Sequence, residues 1–182
     1  MYKRQLAALA PGTRIPVLLE GRASFNGTVF GRLNALTTRG RLDLENFDTE
    51  LAPLQLSAVG TNGVQHRLHW DSLTADALYS PSTMSLQRGV LRRGKANVNF
   101  SASAALHSGV LDENTSQVTF NVRMQDVGLE DIQGLAGLNY PITGLVVADA
   151  SASGTPVNLH GSGNVQITKM TVMGEPLSLI HI

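Results

Sequence analysis

Apolar and polar residues alternate along several stretches of this chain. The alternation is clearest at residues 96–103 and 118–124, and shorter runs follow it at 42–44 and 165–167. A period of two places every second side chain on the same face of a sheet, so each run predicts a strand with one apolar face. Turns are predicted between the runs, at Asn26-Gly27, Asn62-Gly63, Arg93-Gly94, Ser108-Gly109 and Asp112-Glu113-Asn114. We therefore predict a mostly-β fold with short strands joined into a curved antiparallel sheet.

One segment departs from this alternation and predicts a short helix. Its apolar residues recur at helical spacing, at Leu129, Ile132, Leu135 and Ala136. Asp126 is a candidate cap for the start of the helix, and two acidic residues follow in the first turn. Gly137 and Pro141 are expected to end it, which gives about two to three turns. Residues 6–12 resemble the tail of an equivalent helix.

The spacing of glycines suggests an internal repeat. Each member of the first set recurs 123 positions later, as Gly21 with Gly144, Gly31 with Gly154, and Gly40 with Gly163. Repeats are typical of arrays in which each unit covers the open edge of its neighbour. We predict a first β-repeat segment at 6–128, then a short helix and the start of a second β-repeat at 129–176. Two unrelated hairpin ladders with similar turns are the alternative interpretation.

The two ends of the chain resemble translated sequencing adapter. Residues 2–5, YKRQ, back-translate behind a GTG start codon to a sequence that looks like part of the mosaic-end element used in transposase libraries. Residues 177–182, LSLIHI, back-translate to a sequence like its reverse complement. We therefore expect 1–5 and 177–182 to be adapter-derived and 6–176 to be a fragment of a longer protein. An apolar β-strand is the alternative for the last six residues.

Composition narrows the expected partners. The chain has 14 basic and 14 acidic residues, and leaving out Lys3 and Arg4 gives 12 basic residues and a net charge of −2. No basic patch stands out, so nucleic acid is not an expected partner. The absence of cysteine excludes disulfides and thiolate metal sites, and fits either the cytoplasm or the bacterial envelope.

No set of residues has the spacing of a catalytic or metal site. His66 and His69 are three positions apart, and on a strand such residues face opposite sides of the sheet. The acidic cluster lacks the spacing of a calcium loop, at Asp43, Glu45, Asp48 and Glu50. A basic run could meet anionic head groups or form a solvated strand face, at Arg88, Arg92, Arg93 and Lys95. Trp70 and Tyr79 are candidate rim aromatics or ordinary packing residues. We predict no catalytic residue, no metal and no cofactor.

Residues 140–176 carry a likeness to a known family. They read YPITGLVVADASASGTPVNLHGSGNVQITKMTVMGEP. A short helix, then P-x-TG, a strand, SGT, and a GxGxVxI strand before a GEP-type turn resemble the AsmA/TamB superfamily of bacterial envelope proteins. The residues that carry the likeness are Pro141, Thr143, Gly144, Ser153, Gly154, Thr155, Gly161, Gly163, Val165, Ile167, Gly174 and Pro176. Residues 21–47 look like a looser copy.

The resemblance implies a periplasmic sheet curled into an elongated, β-taco-like groove. An inner-membrane anchor outside this fragment would hold it, and other envelope proteins would be partners. The apolar inner face would let phospholipid or other lipid acyl chains pass. On this basis we expect lipid-facing residues at Leu42, Leu44, Val98, Phe100, Val118, Phe120, Val122, Val165 and Ile167.

The expected function is non-enzymatic lipid binding or conduction, which contributes to lipid transport or outer-membrane assembly. A structural or adhesin-type secreted β-repeat domain is the alternative, although we find no stacking period of roughly 20 to 30 residues. The inner face of the sheet distinguishes the classes. A uniformly apolar and open face favours lipid, a face filled by side chains favours a solenoid or sandwich, and paired carboxylates favour an enzyme.

Overall fold

The computed structural model describes residues 17–33, 35–51, 66–135 and 138–176, which form one sheet and one short helix. The strands are β1 (Val17–Arg32), β2 (Ala35–Leu51), β3 (His66–Ser80), β4 (Thr83–Arg93), β5 (Ala96–Ala105), β6 (Val118–Gly128), β7 (Ile142–Thr155), β8 (Asn158–Val172) and β9 (Glu175–Pro176). The helix, α1 (Leu129–Leu135), lies between β6 and β7 in the chain.

The nine strands pair in sequence order, and every neighbouring pair is antiparallel. Two-residue connections link β3 to β4, β4 to β5 and β7 to β8. Such short connections can join only antiparallel neighbours, so they account for the sequential order. The sheet is open and curved, which confirms the predicted fold class.

The pairing register assigns each side chain to one of two faces, because residues directly opposite each other point to the same side. The apolar face, as named here, is formed by Ala23, Phe25, Val29, Leu42, Leu44, Leu73, Ala75, Ala77, Tyr79, Met84, Leu86, Leu91, Ala96, Val98, Phe100, Ala102, Ala104, Val118, Phe120, Val122, Met124, Val146, Ala148, Ala150, Ala152, Leu159, Val165 and Ile167. The opposite side, the polar face, carries mostly Ser, Thr, Asn, Asp and Arg.

Four residues other than glycine adopt a left-handed backbone on alternate strands: Asn46 (φ 47°), Arg88 (φ 51°), Asp126 (φ 52°) and Lys169 (φ 51°). Each lies where the register of a strand pair shifts, so each marks a β-bulge. A bulge bends its strand and increases the local twist. The four bulges therefore contribute to the curvature of the sheet.

The β1–β2 and β7–β8 hairpins, which lie near opposite ends of the strand order, share the same register shifts and bulges. The β1–β2 register shifts between Glu20 and Arg22, and the β7–β8 register shifts 123 positions later, between Thr143 and Leu145. The bulges at positions 46 and 169, and the left-handed glycines at 31 and 154, have the same displacement. An internal repeat would produce this equivalence. The proposed boundaries at 6–128 and 129–176 stay predictions.

The short helix is confirmed, but its predicted cap is wrong. Asp126 belongs to β6, where it forms a bulge, and α1 begins only at Leu129. Ile132 packs against a small buried cluster of Ala96, Val98 and Val127. The helix that follows β6 therefore lies on the apolar face. Residues 6–12, where a similar helix tail is predicted, lie outside the described part of the chain.

The predicted turn at Asn26-Gly27 is also wrong. Both residues lie within β1, where Gly27 pairs with Gly40. The ring of Phe25 covers the two glycines, since a Cβ atom at either position would come within 2.7 Å of ring atoms. Glycine makes room for an aromatic ring here and does not reverse the chain. Turns are present at 94–95, 108–109 and 113–115, as predicted, whereas Asn62-Gly63 is not among the described residues.

Candidate functional site

The apolar face is continuous across eight strands. Within the described strands its polar groups include Thr38, the hydroxyl of Tyr79 and, beside α1, Arg93, which pairs with Ala96. Several of its large side chains are nevertheless exposed, at Phe25, Val29, Tyr79, Met84, Phe120, Leu159, Val165 and Ile167. A run of exposed apolar side chains on one surface is unusual for a soluble protein and indicates a binding surface.

A cavity of about 480 Å³ lies on the apolar face. It runs across the strands. One row of its lining side chains includes Tyr79 and Met84, and the other row includes Leu86 and Phe120. Its lining extends from Phe25 of β1 to β6 and is almost wholly apolar. The volume is within the usual range of small-molecule sites.

All nine residues predicted to face lipid lie on the apolar face, from β2, β5, β6 and β8. Their exposure differs along the sheet. Val98 is 8% exposed because α1 covers it, whereas Phe120 is 43% and Val165 is 68% exposed. Val118 and Phe120 line the cavity. Whether these side chains contact lipid stays a prediction.

Several cavity residues were missed by the sequence reasoning, among them Phe25, Met84 and Leu86. The signal for Phe25 was present, because residues 23–29 alternate in the same way as the longer runs. Assigning Asn26-Gly27 to a turn interrupted that alternation. Met84 could be assigned to this face only once its pairing with Tyr79 and Ala104 was known.

The helix closes one end of the apolar face. Gln133 is buried and donates from Nε2 to the carbonyl of Ile142, while its Oε1 accepts from the backbone N–H of Tyr140, both at 2.8 Å. Asp131 forms an ion pair with Arg93 at the end of β4. These contacts fix α1 to β4 and to the start of β7.

An aromatic ring also covers a glycine in the middle of the sheet. A Cβ atom at Gly89 would lie within 2.6 Å of several ring atoms of Phe100, its partner across β4 and β5. The ring therefore lies flat against the backbone.

The polar face is held by pairs of side chains across the strands. Asp76 forms ion pairs with Arg88 and, at 3.8 Å, with Arg41. Arg123 Nε donates to Asp149 Oδ1 at 2.5 Å, and this hydrogen bond raises the pKa of the guanidinium. Cross-strand pairs of opposite charge stabilise a sheet weakly where they are exposed to solvent. We interpret them as structural.

Among the side chains that the structure describes, the remaining candidate groups do not assemble into a reactive site. His69 Nδ1 lies 2.9 Å from Asp48 Oδ1, and no group of three metal-ligating side chains occurs in the part of the chain that the structure describes. Trp70 is buried beside its cross-strand partner Phe47, whereas Tyr79 is exposed on the apolar face. Arg88 and Arg92 are exposed. None of the described segments forms an apolar helix of membrane-spanning length.

In comparisons with known proteins, the chain matches no family model, no curated protein and no solved structure. The functional argument therefore depends on the two faces of the sheet and on the cavity.

Proposed function

We propose that this chain is a non-enzymatic lipid-binding module of the AsmA/TamB type, in which acyl chains lie on the apolar face. The observation that supports this proposal most directly is the exposure of that face. Eight consecutive strands direct apolar side chains to one side, and several of the large ones are exposed in the described residues.

Acyl chains would bind by burial alone. Each methylene group transferred from water to an apolar surface contributes about 0.8 kcal/mol, so a long chain needs no polar contact to be held. The predominantly apolar lining of the 480 Å³ cavity suits such a ligand. This mode of binding requires no catalytic residue, metal or cofactor, and we propose none.

The resemblance supplies the cellular setting of the proposal. We place the module in the bacterial periplasm, joined to an inner-membrane anchor, where it would contribute to lipid transport or outer-membrane assembly. Recovering the native locus by long-read sequencing without transposase tagging tests this setting. A frame with a single hydrophobic anchor upstream supports it, and a frame that starts and stops with this chain argues against it.

A structural or adhesin-type repeat domain is the competing function. A solenoid or sandwich fills its interior with its own side chains, whereas within the described residues only α1 covers part of the apolar face, at one end. The apolar face therefore favours the lipid proposal over this alternative. An enzyme acting on polysaccharide has less support, because acidic side chains are absent from the apolar face as defined above.

A charge placed on the apolar face tests the proposal. Phe120→Asp puts a carboxylate beside the cavity, whereas Asn121→Asp puts the same group one residue away on the polar face. Binding of a phospholipid with a fluorescent acyl chain is then titrated for both variants and the parent chain. Circular dichroism checks that each variant keeps its strand content.

We expect Phe120→Asp to weaken binding by more than about tenfold, since a tenfold change needs only about 1.4 kcal/mol and the lost apolar contact exceeds that. Asn121→Asp should bind like the parent. Equal loss in both variants would point to a general charge effect, and absence of binding by the parent chain would refute the proposed function.

A further inference from the structure

The connection between β5 and β6, residues 106–117, contributes a wall to the apolar cavity. Among the described residues that line the cavity, Leu111 is the one that does not belong to a strand. The other lining residues are fixed by the pairing register of the sheet. A lining side chain on a connection can be larger or smaller without a change in that register. Such a residue can therefore set which ligands the cavity accepts.

The connection is tied to two neighbouring turns. The backbone N–H of Leu106 donates to Ser82 O at 2.8 Å, and that of Gly109 donates to Pro81 O at 2.7 Å. On the other side, the N–H of Val157 donates to Glu113 O at 3.3 Å. The segment thus extends from the β3–β4 turn to the β7–β8 turn along one edge of the face.

Internal hydrogen bonds stiffen the same segment. Asp112 Oδ1 accepts from the backbone N–H groups of Asn114 and Thr115 at 2.9 and 2.8 Å. Its own N–H donates to Ser116 Oγ at 2.9 Å, and Ser116 is fully buried. Leu111 directly precedes this turn, so its position is set by a closed network and a ligand cannot easily push it aside.

We propose that Leu111 limits the length of the acyl chain that the cavity accepts. This inference rests on the proposed lipid-binding function. A methylene group occupies a volume near a water molecule's share of the liquid, roughly 30 Å³. The cavity of about 480 Å³ therefore holds about sixteen such groups, which corresponds to a single acyl chain.

Chain-length preference is the quantity that tests this proposal. The full chain is loaded with a fluorescent fatty acid, which is then displaced by a graded series of saturated fatty acids shorter and longer than the cavity. The parent should prefer chains of about sixteen carbons. Leu111→Ala removes three carbons from the wall and should move the preference toward longer chains by about that number.

Two further variants separate size selection from a loss of folding. Leu111→Phe fills part of the cavity and should move the preference toward shorter chains, a change that partial unfolding would not produce. Val110→Ala is the matched control, because Val110 is 61% exposed and does not line the cavity. It should leave the preference unchanged.

The outcomes distinguish this inference from the function on which it depends. Opposite shifts in the two Leu111 variants support it. Binding with an unchanged length preference in both overturns the role of Leu111 and leaves lipid binding intact. Failure of every fatty acid to displace the probe, or of the probe to bind, overturns the proposed function and this inference together.

Discussion

Two Val→Ala substitutions in the β7–β8 hairpin test whether the apolar face is open. Val146 and Val165 lie on the same face of adjacent strands, yet Val146 is 2% and Val165 is 68% exposed. Each substitution removes two carbons. Each also replaces a β-branched side chain, which favours strands, with alanine, so this effect is the same in both variants and cancels in the comparison. The difference between the two variants therefore measures burial.

The expected magnitudes follow from the exposures. For Val146→Ala, two buried carbons at about 0.8 kcal/mol each, with a small cavity penalty, give a loss of about 2 kcal/mol in the free energy of unfolding. For Val165→Ala, about a third of the side chain is removed from water, which gives a loss of about 0.5 kcal/mol. The expected difference is about 1.5 kcal/mol.

Equilibrium unfolding in urea measures both values. The chain has a single tryptophan, Trp70, which is buried and whose emission should change when the sheet unfolds. With a slope of about 2 kcal/mol per molar urea, Val146→Ala should lower the midpoint by about 1 M and Val165→Ala by about a quarter of that. Equal losses would mean that something covers Val165, which would refute the open apolar face and remove the main support for lipid binding.

Three further changes test individual contacts. Gln133→Leu should lower the free energy of unfolding by about 2–4 kcal/mol, because it leaves two backbone partners without a hydrogen bond. A loss below about 1 kcal/mol in urea unfolding would contradict this. Gly89→Ala should be strongly destabilising alone and much less so combined with Phe100→Ala, since the ring that it meets is then gone; additive losses would argue against that contact. Hydrogen bonds from Thr115 and from the backbone lower the pKa of Asp112 in the folded chain. The carboxylate therefore stabilises the fold above its ordinary pKa, and this stabilisation is lost as the pH falls through the lowered pKa of the folded chain. The protection of the amides in the β5–β6 connection, taken as the intrinsic exchange rate at each pH divided by the observed rate, should therefore fall in acid. Asp112→Asn should abolish that pH dependence of the protection, and an unchanged profile would exclude the carboxylate as its source.

Much of the strand pattern and part of the membership of the apolar face could be predicted from the sequence. Alternation is local, because successive side chains of any extended strand point to opposite sides, and so Val98 with Phe100, and Phe120 with Val122, could be assigned to one side without knowledge of their partners. The helix at 129–135 was predictable for the same reason, since its apolar spacing is also a local property.

Other features depended on partners far away in the chain. Gly27 reads as a turn residue until it is seen opposite Gly40 and beneath the ring of Phe25. Asp126 reads as a helix cap until its strand is paired, when it becomes a left-handed bulge. Residue type alone does not locate such bulges, because Asn and Asp tolerate this backbone but Arg88 and Lys169 adopt it where the surrounding strand pairs impose it.

The sequence by itself determined that this protein is a sheet with one apolar and one polar face. Only the tertiary structure decided that the strands pair in order, that a cavity crosses six of them, and that Leu111 from a connection completes its wall. The physical reason is that alternation sets the direction of a side chain, whereas its exposure depends on which distant elements pack over it. Val146 and Val165 have the same alternation, and they differ in exposure because the structure around them differs.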